Sequence, residues 1–357
     1  MSEHFPAELL SQLPGFLVPW FLRAKRDLEW RNDPTPYRVW ISEIMLQQTR
    51  VEAVKPYYDR FLAELPDVAA LAAVDETRLL KLWEGLGYYR RARNLQAAAK
   101  KIMRDHGGVF PSDYEAVRAL PGIGDYTAGA ILSIAFGKPF PAVDGNVLRV
   151  ATRLAASRAD IDAPKVRREL TSALAAVYPE GRCSEFTQAL MELGATVCLP
   201  NGAPLCTVCP LAGICLASKR GLADEIPVRK AKAARPVKEF AVVVLRDRAG
   251  RFAIRRRPET GLLAGLYEFP NLEGRPDETA LKKEFHAREI RKAGTAGHVF
   301  THVEWAMTLY LAETDDPPPG FEWAARDALQ KRTAIPSAFK AALALAFSTD
   351  PIPGDHP

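Results

Sequence analysis

The sequence predicts two domains of different class: a mostly α-helical one over residues 1–224 and a smaller α+β one over residues 237–350. Three observations carry this prediction. A proline–glycine hairpin sits between two helical patterns. Four cysteines crowd into a short stretch near the end of the helical part. Past residue 237 the hydrophobic period changes from helical to strand-like. A length of 357 residues is also what about two domains require.

The hairpin reads Leu120-Pro121-Gly122-Ile123-Gly124-Asp125-Tyr126-Thr127. Before it, Ser112-x-x-Glu115 has the pattern of a capping box and predicts a short helix to about Ala119. Pro121 ends that helix because it has no N–H to donate. Gly122 and Gly124 permit a tight turn. Thr127, Ala128, Ala130, Ile131, Ile134 and Ala135 then form the small apolar face of a second helix, giving a helix–hairpin–helix over 112–136. Free N–H groups at a helix start favour an anion such as a phosphate. No Gly-Lys-Ser/Thr follows, so this is not a nucleotide-binding P-loop. An ordinary corner between helices is the simpler alternative.

Two carboxylates stand out. Thr35-Pro36 marks a helix start, and on that helix Glu43 shares a face with Val39, Trp40, Leu46 and Gln47. Burial there disfavours the anion, raises the pKa and suits a general acid. Pairing with Arg31 or Arg38 is the structural alternative. Asp144, in Val143-Asp144-Gly145-Asn146-Val147, lies twenty residues after Gly124 and precedes the apolar positions Val147, Leu148, Ala151 and Leu154. It reads as a helix N-cap. Capping bonds would keep it ionised, as stabilising a cation requires.

Trp83-Glu84-Gly85-Leu86-Gly87-Tyr88-Tyr89-Arg90-Arg91-Ala92-Arg93-Asn94 interleaves aromatic and basic residues around two glycines. Arginines can meet phosphates while Leu86 or Tyr88 enters a base stack; a solvated basic helix face is the alternative. Cys198, Cys206, Cys209 and Cys215 follow the spacing Cys-x7-Cys-x2-Cys-x5-Cys. Such a cluster is a metal site in a reducing compartment. Zinc sites usually show two close-spaced pairs and this one has a single pair, which favours [4Fe–4S] over zinc. Cys183 stands apart and is expected to be a buried thiol.

Residues 225–236 are charged and alanine-rich with two prolines, a linker composition. Beyond them, Phe240–Leu245 and Arg251–Arg255 read as strands around the turn Asp247–Gly250, His302–Tyr310 as a further strand and Ser337–Phe347 as a final helix. The net charge of +5 says little about nucleic acid by itself. No apolar run is long enough to span a membrane, and the first 30 residues lack a signal-peptide pattern, so an intracellular, cytoplasmic protein is expected.

The helix–hairpin–helix, the Asp144 segment and the four cysteines resemble the endonuclease III superfamily of DNA glycosylases. Ser42-Glu43-Ile44-Met45-Leu46-Gln47-Gln48-Thr49, the Gly85–Leu95 segment and Val143–Val147 look, within it, like the MutY family of adenine DNA glycosylases. The resemblance covers nearly the whole chain. It implies hydrolysis of the N-glycosidic bond of adenine opposite 8-oxoguanine or guanine in duplex DNA, leaving an abasic site. Glu43 would protonate the flipped adenine and Asp144 would stabilise the oxocarbenium ion. Tyr126 and Asn146 would support Asp144 and the sugar. Trp30, Arg31, Leu46 and Gln188 would line the adenine pocket. Gln48, Thr49, Leu86 and Tyr88 would fill the gap in the duplex and contact the opposite base. Gly122 and Gly124 would hold a phosphate, and the four cysteines one [4Fe–4S] cluster.

Bifunctional relatives carry a lysine where Tyr126 stands, so the resemblance implies a monofunctional enzyme. The second domain resembles a MutT-like (Nudix) fold: Gly261–Pro270 fits its glycine-rich stretch, and Phe300-Thr301-His302 fits a loop that reads 8-oxoguanine. Its Arg-Glu-x-x-Glu-Glu signature is absent, which argues against a hydrolase role for that domain. Seven residues rather than the usual six separate the first two cluster cysteines, and Thr301 stands where serine is common. The family further implies a monomer, with replication or repair proteins as possible partners. An endonuclease III-like enzyme acting on oxidised pyrimidines, and a non-catalytic DNA-binding protein, are the alternatives.

Overall fold

Helix Asp125–Phe136 is the spine of the helical part, and its small residues explain why. Thr127 to Ile134 are all buried, and helices Pro36–Leu46 and Cys183–Thr196 both pack on it. At Gly129 a Cβ would lie 2.2 Å from the Pro141 carbonyl oxygen, so only glycine admits that close approach. The computed structural model describes residues 4–229 and 234–348. Packing divides the chain into two units, Met1–Ala73 with Asn94–Lys232 and Val74–Arg93 with Ala233–Pro357.

The hairpin forms as predicted, with one correction. The first helix is Tyr114–Arg118, capped by Asp113, whose carboxylate accepts from Ala116 N–H at 3.1 Å. The aspartate takes the capping place that the pattern gave to Ser112, so Glu115 falls one position too early for a capping box. Gly122 has φ +78° and packs on Asn94, where a Cβ would lie 2.6 Å from the Asn94 Cβ. Gly124 differs: it is the N-cap of Asp125–Phe136 in extended backbone, and its Cβ would meet nothing within 4 Å. The turn itself therefore does not need glycine there.

In the second unit β1 (Val237–Arg246), β2 (Phe252–Arg256), β3 (Tyr267–Glu268), β4 (Asn271–Glu273), β5 (Glu289–Val299), β6 (Glu304–Glu313) and β7 (Glu322–Ala324) form one sheet. The order is β3-β2-β1-β6-β5; β4 also pairs with β1, and β7 with β2. β1 and β6 are parallel, with Val242 opposite Leu309. Val242 and Val244 enter the core shared with Phe339 and Ala342, whereas Ala241, Val243 and Leu245 enter the core shared with Leu281 and Phe285. Burial on both faces is why β1 reads as a continuous apolar run.

Four expectations need adjusting. His302 lies in the loop before β6, and the final helix is a 3-10 turn, Ser337–Phe339, followed by Lys340–Ser348. The start of the expected linker packs on the helical unit: Ile226 is buried, its carbonyl accepts from Arg153 Nε at 2.7 Å, and Val228 bridges to Asp160. Residues 230–233 of that linker lie outside the described residues. Segment 74–93 joins the second unit through hydrogen bonds. Lys81 Nζ donates to the Leu329 and Thr333 carbonyls, Glu84 Oε1 accepts from Ile335 N–H at 2.8 Å, and Arg93 Nη1 donates to the Ala264 carbonyl.

Candidate active site

Glu43 lies on Pro36–Leu46, whose start is built as expected: Thr35 accepts from Arg38 N–H and Pro36 takes the first turn. The helix is buried from Val39 to Met45, and Glu43 is only 6% exposed. Neither arginine that could have neutralised it does so, since Arg31 pairs with Glu192 and Arg38 with Asp33. Its hydrogen-bond partner is instead the Tyr126 hydroxyl, which donates to Oε2 at 2.5 Å. Burial lifts the Glu43 pKa to about 7, against the lowering effect of the Tyr126 bond; the Asp144 charge adds to the rise and Arg31 opposes it.

Asp144 caps helix Gly145–Leu154: Oδ1 accepts from Val147 N–H at 2.8 Å and Oδ2 from Asn146 Nδ2 at 2.7 Å. Asn146 Oδ1 in turn accepts from Arg149 Nη2 at 2.9 Å. Burial raises the Asp144 pKa, and the bonds from Val147 and Asn146 recover only part of it. Tyr126 hydrogen-bonds Glu43, and Asn146 hydrogen-bonds Asp144.

Trp30 is buried, edge-on to Tyr58 at 5.5 Å. Leu46 and Gln188 are half-buried, and Gln188 Nε2 donates to Ser184 Oγ at 3.2 Å. At the end of the Glu43 helix Gln48 is exposed with φ +58°, followed by half-buried Thr49. A helix end that turns through left-handed backbone leaves Gln48 exposed.

In the segment 83–94, Leu86 and Tyr88 separate. Tyr88 is 51% exposed with φ +46°, whereas Leu86 is 6% exposed, already packed within protein and not poised to enter a duplex. Arg91 is also buried, donating to the Leu86 and Gly87 carbonyls and lying over the Trp83 and Tyr88 rings. Arg93 binds Glu76. Of the three arginines, Arg90 is the exposed one. The Tyr88 hydroxyl lies 3.0 Å from the Thr301 hydroxyl, within the second unit. Thr301 and His302 are exposed in the β5–β6 turn; Phe300 packs against Trp305 at 5.0 Å.

The four cysteines line one pocket, partly open to solvent, with Val150, Leu154 and Leu193. The additional residue before Cys206 is absorbed in a loop: Leu205 N–H bonds to the Val197 carbonyl at 2.9 Å and brings Cys206 back to the pocket. Arg153 Nη1 lies 3.2 Å from Cys198 Sγ. Burial pushes the Cys209 thiol up to about 11 and raises Cys215. The Arg153 guanidinium at Cys198 would offset part of the negative charge that thiolate ligands bring to a metal group. Among the described residues no group of three or more His, Cys, Asp or Glu side chains is placed to hold a metal ion. Cys183 is buried and apart.

Glu192, fully buried, and Arg149, buried behind Asn146, were missed by the reading of the sequence. A carboxylate on the apolar stripe of Cys183–Thr196 was the available signal for Glu192. Among the described residues no helix is long and apolar enough to cross a membrane.

Residues 41–176 match the HhH-GPD superfamily of base excision DNA repair proteins, and residues 241–345 match the NUDIX domain. The chain is 34% identical to the adenine DNA glycosylase of Mus musculus, over 86% of this chain and 72% of that protein. It is 34% identical to that of Homo sapiens, over 87% and 69%. Among solved structures, a non-covalent endonuclease III–DNA complex matches with TM-score 0.52 and 25% identity, covering 61% of this chain and 98% of that one.

Proposed function

The chain belongs to the adenine DNA glycosylases of base excision repair, and from that premise we propose that it removes adenine opposite 8-oxoguanine or guanine in duplex DNA, leaving an abasic site. The observation that carries the proposal is the buried Glu43 carboxyl, lifted to about 7 and held by Tyr126 near Asp144. A group with that pKa is half protonated near neutrality and can give its proton to a leaving base. Glu43 protonates the extruded adenine, the glycosidic electrons leave with the base, and the Asp144 carboxylate stabilises the positive sugar until water adds. Asn146 holds Asp144 in place. Trp30, Arg31, Leu46 and Gln188 line the adenine pocket.

Tyr126 stands where strand-cleaving relatives carry a lysine, and a phenol forms no Schiff base, so the enzyme is monofunctional. The hairpin takes a phosphate at Gly122 and Gly124, where the open side of Gly124 leaves room for it. Gln48 and Thr49 contact the opposite base; in the second unit Tyr88 is exposed for the same role, and Leu86 would take it only after moving out of its packing. Cys198, Cys206, Cys209 and Cys215 would hold one [4Fe–4S] cluster, which when bound ties the 198–215 segment together. The enzyme works as an intracellular monomer on DNA, with replication or repair proteins as its partners.

Single-turnover adenine release tests the reading. Release is expected from adenine opposite 8-oxoguanine and not from adenine opposite thymine, with strand breaks only after alkali. No release from DNA-binding protein would move the assignment to pyrimidine repair or to a non-catalytic role.

Phe300, Thr301 and His302 read the 8-oxoguanine. Thr301→Ala is expected to reduce the preference for 8-oxoguanine over guanine by about three- to tenfold, the worth of one hydrogen bond. An unchanged ratio in competition between the two duplexes would remove Thr301 from that role.

A further inference from the structure

Helix Cys183–Thr196 carries Gln188 and, one turn on, Glu192. Residues four apart share a helix face. Glu192 is fully buried and its carboxylate is saturated with donors. Oε1 accepts from Arg26 N–H at 3.0 Å and Arg26 Nε at 2.8 Å; Oε2 accepts from Arg26 Nη2 at 2.8 Å and Arg31 Nη2 at 2.7 Å. Arg31 is held on two further sides. Its Nη1 donates to the Arg26 carbonyl at 3.0 Å, and its guanidinium lies 5.3 Å from the centre of the Phe21 ring.

One arginine would neutralise Glu192, and Arg26 already does so with three bonds. The second guanidinium leaves the group with one net positive charge, carried by the deeper side chain: Arg31 is 10% exposed against 35% for Arg26. That charge acts on Glu43. The charged and titratable groups that bear on Glu43 are Tyr126, Asp144 and Arg31.

We infer that Glu192 is a positioning residue for base removal: it fixes Arg31, setting where the guanidinium meets the adenine and how strongly its charge acts on the acid. The inference rests on the reading of Glu43 as the acid and of Arg31 as a pocket residue.

The test compares full-length wild type, Glu192→Gln, Arg31→Gln and the double variant in single-turnover adenine release from the 8-oxoguanine duplex. Rates are read from about pH 5.5 to 8.5, beside DNA affinity and thermal melting. Glu192→Gln is expected to bind DNA within about threefold of wild type and to release adenine about ten- to a hundredfold more slowly, the cost of a misplaced contact. An unpaired Arg31 favours ionised Glu43, so the fall in rate on the alkaline side should begin at lower pH. A purely structural defect would not move that limb. In the Arg31→Gln background, Glu192→Gln should change the rate by less than about twofold, because its effect passes through Arg31.

An alkaline limb at the wild-type pH, or losses that multiply in the double variant, would overturn the inference while leaving adenine removal intact. If Glu192→Gln does not fold, Glu192→Asp keeps the charge one methylene short. It should keep the alkaline limb and lose rate, and a wild-type rate would overturn the inference. Wild-type protein that releases no adenine would sink the underlying reading and this inference with it.

Discussion

Glu43→Gln is expected to slow adenine release by about 10²- to 10⁴-fold, the usual worth of a positioned general acid, while duplex binding survives. Glutamine matches the shape of the acid and can still accept from Tyr126, but it has no proton to give. In the wild type the protonated form is the active one. With the pKa lifted to about 7, the rate should fall about tenfold per pH unit above that value. Folding supplies a second readout. A carboxyl raised from 4.5 to about 7 by burial contributes stability that is fully present below pH 4.5 and lost as pH rises through 7. A neutral glutamine escapes that loss. The variant should therefore be more stable than wild type above pH 7, by up to about 3 kcal/mol, and equal to it near pH 4. Near-normal turnover, or a melting difference that does not change with pH, would remove Glu43 from its role.

Asp144→Asn is expected to cost about 10²- to 10³-fold in adenine release, because the cation that forms on the sugar loses its facing anion. The fold should hold. Asparagine caps helices as well as aspartate does and can still accept from Val147 N–H. The pH profile distinguishes the two carboxyls. Asp144 must be ionised and its pKa is raised, so the wild-type rate should also fall on the acid side, giving a bell. In Asp144→Asn the acid limb should vanish while the alkaline limb remains. A retained acid limb would assign it to another group.

Much of this was legible along the chain because it is local. The cap at Thr35, the proline after it, the left-handed Gly122, the cap at Asp144 and the apolar run of β1 each depend on a few adjacent residues. The misses have the same explanation turned round. β5 was not read because, as an edge strand with Gly294 and Gly297, it buries little beyond Ile290 and shows no alternation. The capping box at Ser112 failed because two adjacent residues can both cap, and a one-residue shift decides between them.

The sequence by itself determined the two fold classes, the hairpin and the cysteine spacing, and it singled out the two carboxylates, since helix signals, turn residues and ligand spacing act over short stretches. Only the tertiary structure decided that the Tyr126 hydroxyl meets Glu43, that Leu86 is packed away while Tyr88 is exposed, and that Arg31 pairs with Glu192. Those pairings join residues 83 and 161 positions apart, or turn on burial, and a charge or a hydroxyl chooses its partner only after packing has removed water from around it.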